Sequence, residues 1–305
     1  MNNFVTKFQS SFDEHFDFHN YEDQYLGLLQ LNKPFEAFNL LWNCYNFSDQ
    51  EISDKKFFDL IHLLDIKIDA NLFTHHYVKI NVHSVAIGGS WLIRKGQRMT
   101  FPEADDANLI VILHKHLVRT KAKLILDIGA NSGSFSLLPK FIPELKCIAF
   151  EPNEALLDLL HENLRLNGVE NQVEVFNLAA SDINGRARLH IPNQTGKSTL
   201  GTTDHLDHII IQDVRTVSID NFLKSKCIAK VDAIKIDTEG HDFKVLMGAM
   251  KTIVKDKPIL LIESVDYMLS RHASKEIEMH QVLENIGYTI YRADTTNILA
   301  IHQDT

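Results

Sequence analysis

The sequence predicts an α/β fold: a doubly wound, mostly parallel sheet, preceded by a helical N-terminal extension and a strand hairpin. Three observations carry this. From Lys121 onward, short apolar runs alternate with amphipathic helical stretches, the rhythm of βαβ units. A glycine-bearing turn, Asp127-Ile128-Gly129-Ala130-Asn131-Ser132-Gly133, directly follows the first of these runs. And aromatic residues are uneven: 12 of the 27 lie in residues 1–50, which marks that segment as a separate unit.

The elements follow in order. Phe4, Phe8, Phe12 and Phe16 recur every fourth residue, one stripe of an amphipathic helix. YEDQYLGLLQL reads as a second helix. Pro34 suits the first turn of a third, ending near Tyr45. Ser48 and Glu51 form a capping box before a fourth, EISDKKFFDLIHLLDI. Residues 1–70 are therefore expected to be helical. HHYVKINVHSVAI alternates as a strand does, Gly88-Gly89 turns the chain, and WLIRKGQRM returns. This hairpin spans 71–103. A helix from about Glu103 to Arg119 opens the main domain, 104–305.

In that domain KLILDIG, KCIAFEP, VEVFNLA, AIKID, PILLIES and YTIYRA read as strands. SFSLLPKFI, EALLDLLHENLRLNG, DFKVLMGAMKTIV and SKEIEMHQVLENIG read as helices. Segment 183–222 breaks the rhythm. It holds the Asn184-Gly185 turn signal, a strand RARLHIP and the loop QTGKSTLGTT. An insertion at that place is where a lid over a substrate sits.

Composition limits the function. Lys and Arg number 31 against 40 Asp and Glu, a net charge of −9, which argues against nucleic acid or a membrane surface as general partner. No stretch reaches the length of an apolar span, and the N-terminus lacks a signal peptide's apolar run. Cys44, Cys147 and Cys227 are too few and too scattered for a disulfide framework. Cys147 and Cys227 read as buried reduced thiols, which suits the cytoplasm.

The turn after KLIL invites comparison with the dinucleotide fingerprint, which needs glycine at its first, third and sixth positions. From Gly129, the third and sixth are Asn131 and Ser134, so two of three fail. An acid at the strand end, Asp127, repels a pyrophosphate but suits a cationic ligand. That favours S-adenosylmethionine (SAM), with its ammonium and sulfonium. Glu151 ends the next strand, placed to accept both ribose hydroxyls. The turn Ala180-Ser181-Asp182 is expected near the adenine edge.

The segments Leu126 to Gly133, Phe150-Glu151-Pro152-Asn153, Ala179 to Asp182, Ile234-Lys235-Ile236-Asp237-Thr238-Glu239-Gly240 and Leu246-Met247-Gly248-Ala249 together resemble the FkbM-type SAM-dependent methyltransferases. The resemblance covers about residues 120–265. It implies a Rossmann-like, class I methyltransferase core and O-methylation of a hydroxyl on a sugar, glycan or related small molecule. By the match, Asp127, Gly129, Ala130, Asn131, Gly133, Glu151, Pro152, Ala180, Ser181 and Asp182 are expected at the cofactor.

Methyl transfer needs an aligned acceptor and, for a hydroxyl, a base. Ligands of open α/β sheets bind beyond the carboxyl ends of the strands. Asp237, Glu239 and His241 follow one such end, and Glu263 ends PILLIES at the same rim. His241 or Asp237 is the expected base, and Glu239 the orienting carboxylate. Asp242 suits a helix N-cap. The carboxylates are of a kind Mg²⁺ accepts, but their spacing specifies no site, so no metal is assigned. A rival reading is a non-catalytic SAM-binding or assembly protein, with the aromatic N-terminal helices as its partner surface or as the contact of a homo-oligomer.

Overall fold

The computed structural model describes residues 21–30, 37, 40–41, 66–68, 77–82, 89–94, 104–192, 198–200 and 210–305. The elements are α1 (Tyr21–Gln30), β1 (Ile66–Ile68), β2 (Tyr77–Val82), β3 (Gly89–Arg94), α2 (Ala104–Thr120), β4 (Leu124–Ile128), a 3-10 turn (Phe135–Lys140), β5 (Lys146–Phe150), α3 (Glu154–Leu166), β6 (Val173–Phe176), β7 (Ala179–Ser181), β8 (Gly185–Ile191), β9 (Ile210–Ser218) and α4 (Ile219–Ser225). They continue as β10 (Ala233–Ile236), α5 (Asp242–Gly248), α6 (Met250–Asp256), β11 (Ile259–Glu263), α7 (Asp266–Ser270), α8 (Glu276–Asn285), β12 (Tyr288–Arg292) and β13 (Asn297–His302).

The main sheet has seven strands in the order β12-β13-β11-β10-β4-β5-β6. Every neighbouring pair is parallel except those made by β13, which runs against both β11 and β12. The central strands β4 and β10 are buried almost throughout, because helices cover both faces. Side chains of β4 and its neighbour β5 alternate between two cores. Ile125, Cys147 and Ala149 face one, with residues of α2 and α3. Leu126, Ile128, Ile148 and Phe150 face the other, with residues of α4, α5, α6 and α8. The chain leaves β4 toward β5 and leaves β10 toward β11. Strand order therefore reverses between β4 and β10, and a crevice opens at their carboxyl ends.

Several elements differ from the sequence expectation. Strand β6 stops at Phe176, and Ala179–Ser181 forms a separate strand, β7, in a small sheet ordered β7-β9-β8. Asn177 causes the break: its side-chain amide donates to the carbonyls of Glu151 and Pro152, so the chain turns off the main sheet. The helix expected through Val254 is two helices meeting at Ala249. Asp220, at the start of α4, caps the second by accepting from Lys251 N, Thr252 N and Thr252 Oγ1. Strands β9 and β13 escaped the sequence reading. β13 closes a hairpin whose turn Asp294 holds by accepting from Thr296 N and Asn297 N.

Ile66–Ile68, placed at the edge of an expected helix, is a strand paired antiparallel to β2. The β2–β3 hairpin is present, with Val82 opposite Gly89. Of the helical N-terminal unit, α1 is as expected, and Ala37, Leu40 and Leu41 are helical. Tyr25, Leu28, Ala37, Leu40 and Leu41 are buried in the same core as Leu109, Leu113 and Leu117 of α2. The phenylalanine stripe, Cys44, most of the fourth helix and most of the loop QTGKSTLGTT lie outside the described residues. Cys147 is buried, but Cys227 is exposed, since it sits in the turn after α4 with φ 55°. Among the described residues no helix is long and apolar enough to cross a membrane.

Candidate active site

The glycine turn grows directly out of β4. Gly129 N and Ala130 N both donate to the carbonyl of Phe150, which fixes the turn to the end of β5. Gly129 has φ 77°, and a Cβ there would stand 1.8 Å from the carbonyl oxygen of Asp237. Only glycine allows that approach. A Cβ on Gly133 would stand 2.5 Å from Leu160 Cδ1, so Gly133 lets the turn seat against α3. Asn131 takes the left-handed conformation, φ 50°. Its side-chain Oδ1 is buried with no hydrogen bond.

Asp127 is fully buried. Its Oδ2 accepts from Ser136 Oγ at 2.6 Å. Oδ1 makes no hydrogen bond and lies 3.6 Å from the Lys235 ammonium. Glu151, expected at the ribose, is buried at the end of β5. One oxygen accepts from Asn131 N at 2.7 Å and the other from Asn153 N at 2.8 Å. Burial raises its pKa to about 7 despite those two donors. Each carboxylate oxygen retains further acceptor capacity. The Pro152 carbonyl accepts from Asn177 and Gln212. Ala180 and Ser181 are buried and Asp182 is exposed.

After β10 the chain forms a second turn against the first. Asp237 N donates to the Ile128 carbonyl. The Asp237 side chain is 35% exposed and sits 3.4 Å from Lys235 Nζ, so it is an accessible carboxylate with a cation beside it. Glu239 stands in the left-handed region at φ 55°, a conformation a non-glycine residue holds only when its surroundings impose it. Asp242 imposes it: its carboxylate accepts from Thr238 N, Thr238 Oγ1 and Gly240 N. Burial, then Asp237, raises the Asp242 pKa to about 6. Gly240 cannot carry a side chain, because a Cβ would lie 2.3 Å from the Met268 carbonyl oxygen.

Glu263 reaches the same rim. Burial pushes its carboxyl well above the usual range, and Asp237, Asp242 and Glu239 push it further. Its Oε2 is buried with no hydrogen bond. His241 is placed differently from a free base. Its Nε2 is 2.9 Å from Ser181 Oγ and its Nδ1 is 3.0 Å from His272 Nδ1. Both ring nitrogens are engaged within the protein, and burial lowers the pKa to about 3. Among the described residues no group of three or more His, Cys, Asp or Glu is arranged to hold a metal ion.

Sequence reasoning gave Ser136, Thr199 and His272 no place at this site, and it read Lys235 only within the Ile234–Gly240 motif and as a partner for Glu263. Lys235 carried a usable signal, a cation inside the apolar run Ala-Ile-Lys-Ile, since a buried charge requires partners. Its ammonium donates to the Gly129 carbonyl at 2.8 Å. His272 and Thr199 carried none, because each reaches the site only through the tertiary fold.

A doubly wound sheet with one reversed strand beside its edge, and a glycine turn meeting an acidic turn at the switch point, make this a Rossmann-like α/β fold with its site at the switch point. The FkbM methyltransferase domain family matches residues 127–290, more than half of the chain, and the protein belongs to that family. Methyltransferase sdnD of Sordaria araneosa is 27% identical over 198 residues, which is 55% of this chain and 74% of that protein. The crystal structure of methyltransferase FkbM from Methylobacillus flagellatus is similar with a TM-score of 0.41 and 19% identity, over 59% of this chain. The match spans only 44% of that longer chain. An O-methyltransferase from Bacillus cereus, in complex with SAH, gives a TM-score of 0.39 at 13% identity, over 66% of this chain and 81% of that one.

Proposed function

We propose that the protein O-methylates a small-molecule acceptor, with a hydroxyl of a sugar or glycan as the acceptor class. The carrying observation is that the glycine turn and the Asp237–Glu239 turn meet at one switch point, Gly129 lying against the Asp237 carbonyl. Whatever binds along the first turn is presented to the second.

The residues present fit SAM. The glycine turn leaves the buried Asn131 Oδ1 with lone pairs to offer, Glu151 is a carboxylate suited to a ribose diol, and Asp182 is exposed beside the turn assigned to adenine. SAM supplies a methyl group on a positively charged sulfur. The chain does the rest. Asp127 and Lys235 hold the glycine turn from beneath. Asp237, with the Lys235 ammonium 3.4 Å away, takes the acceptor proton. Glu239 orients the acceptor, and Glu263, whose carboxyl burial pushes well above the usual range, lines the same rim. His241 acts through Ser181 and His272, as a positioning residue, and the base role passes to Asp237.

Calorimetric titration with S-adenosylhomocysteine (SAH), against NAD as control, tests the cofactor. Methyl-labelled SAM with a panel of sugar and glycan hydroxyls tests the acceptor. SAH binding that Asp182→Ala weakens, with turnover that Asp237→Asn abolishes, is the expected result. Tight SAH binding with no turnover on any hydroxyl or amine would instead support the assembly-protein reading.

A further inference from the structure

A chain of five contacts at hydrogen-bond distance links the two turns. Ser181 Oγ lies 2.9 Å from Asp182 Oδ1 and 2.9 Å from His241 Nε2. His241 Nδ1 lies 3.0 Å from His272 Nδ1. His272 Nε2 lies 3.1 Å from Thr199 Oγ1, which is 2.9 Å from the Glu239 carbonyl oxygen. Asp182 belongs to the turn assigned to the cofactor, and Glu239 to the acceptor side.

Thr199 comes from the insertion. It pairs with His190 of β8 through both backbone groups, and its neighbour Ser198 accepts from Asn153 Nδ2. Thr199 is 1% exposed. Segment 198–200 therefore runs from the Glu151 side of the crevice to the Glu239 turn, and the Thr199 hydroxyl is one of the bonds that dock it there.

The protons of this chain can be counted. Five links need five hydrogens. Ser181 and Thr199 carry one each, and two neutral imidazoles carry one each. Four hydrogens leave one link open. Both rings are neutral at ordinary pH: burial lowers His241 to about 3 and His272 to about 4. Lys244, on α5, opposes a positive charge on either ring, as does Arg271 on His272; Asp182 favours one on His241. Burial dominates.

The neutral chain thus has two limiting directions. In one, Ser181 donates to Asp182, His241 donates from Nε2, His272 donates from Nδ1, Thr199 donates to His272, and the link to Glu239 is open. In the other, Ser181 donates to His241, His241 donates from Nδ1, His272 donates from Nε2, Thr199 donates to Glu239, and the link to Asp182 is open. A donor arriving at Asp182 from outside weakens that carboxylate as an acceptor for Ser181, which favours the second direction.

We propose that Thr199, His241 and His272 form a proton-ordered latch, in which a ligand donor on Asp182 turns the chain so that Thr199 holds the insertion to the Glu239 turn. The proposal rests on the assignment of Asp182 to the cofactor turn. The adenine amino group of SAM or SAH is a donor of the required kind. Cofactor binding on one side then fixes segment 198–200 against the Glu239 turn on the other, and Thr199, His241 and His272 are positioning residues.

The test uses the full chain and SAH as probe. Imidazole nitrogen NMR reports the tautomers, with His241→Gln and His272→Gln to assign the signals. Saturation with SAH is expected to move His241 to the Nδ1–H form and His272 to the Nε2–H form. Backbone hydrogen exchange at 198–200 is expected to slow on SAH binding in the wild type and in Thr199→Ser, and to lose that response in Thr199→Val. A dyad with only a structural role would keep its tautomers through the titration. SAH binding with unchanged tautomers, or an equal exchange response in Thr199→Val, overturns the latch alone. Absence of SAH binding overturns the latch and the cofactor assignment together.

Discussion

Lys235 and Asp127 stand directly opposite each other on adjacent parallel strands, β10 and β4, and form an ion pair with both side chains buried. The same ammonium reaches the Gly129 carbonyl and Asp237. One lysine thus joins the strand that carries the glycine turn to the strand that carries the acidic turn. Its ammonium also lies over the Phe135 ring, 5.2 Å from the centroid. The pair sets the spacing of the crevice before any ligand arrives.

Replacing Lys235 by Met should expose what that pair does. The variant leaves Asp127 buried without its cation, and breaking a buried pair costs about 3–5 kcal/mol. The added change Asp127→Asn removes the stranded charge. Urea denaturation should show the double variant less destabilised than the sum of the two single changes. Strict additivity would mean that the two residues do not act together.

Gly248 tests the cofactor side from a distance. A Cβ at this position would lie 2.0 Å from the Ser181 carbonyl oxygen and 3.1 Å from Asp182 Cα. Gly248→Ala should push β7 away from α5, with an overpacking cost of about 1–3 kcal/mol. SAH affinity should fall, although no residue assigned to the ligand has changed. Calorimetry and urea denaturation on the same preparation would separate the two effects. Unchanged SAH affinity would place Ser181 and Asp182 away from the cofactor.

The parts legible in the sequence are those whose cause is local. Buried parallel strands appear as continuous apolar runs, so β4, β5, β10 and β11 stood out. The glycine turn was readable because Gly129 and Gly133 occupy positions a side chain cannot share. The break at Asn177 was not, since it depends on a side chain reaching carbonyls 25 and 26 residues back. His272 meets His241 across 31 positions and Thr199 meets Glu239 across 40. No local pattern announces such contacts, which is why a histidine expected to act as a free base belongs to a hydrogen-bonded pair.

Asp242 was expected to cap α5, but it is the first residue of that helix, and its carboxylate serves the preceding turn instead. It binds three donors of the turn that holds Glu239 in the left-handed region. Asp242→Ala would orphan buried donors at about 1–3 kcal/mol each where water cannot replace the acceptor. The Glu239 backbone would then relax. Stability by urea denaturation should drop, and methyl transfer should drop further than SAH affinity does. An equal loss of both would mean that the turn serves the cofactor and not the acceptor.

Stability should depend on pH with two opposing arms. Glu151 rises from 4.5 to about 7 on folding, and Asp242 from 3.8 to about 6. Between those values the folded state holds more protons than the unfolded chain, so these groups make stability fall as pH rises. His241 and His272 fall from 6.5 to about 3 and about 4. There the unfolded chain holds more protons, so the histidines make stability fall as pH drops below 6.5. The arms overlap between pH 3.8 and 6.5 and partly cancel in the wild type. Glu151→Gln removes the Glu151 share of the carboxylate arm, since glutamine does not titrate, and leaves that of Asp242 in place. The stability of this variant relative to wild type should therefore improve between pH 4.5 and pH 7.5, by at most roughly 3 kcal/mol for a shift of this size. Urea denaturation of both proteins at the two pH values measures it. A stability difference that stays constant across that range would show that Glu151 is ionised in the folded protein as readily as in the unfolded chain. The two backbone donors would then outweigh its burial.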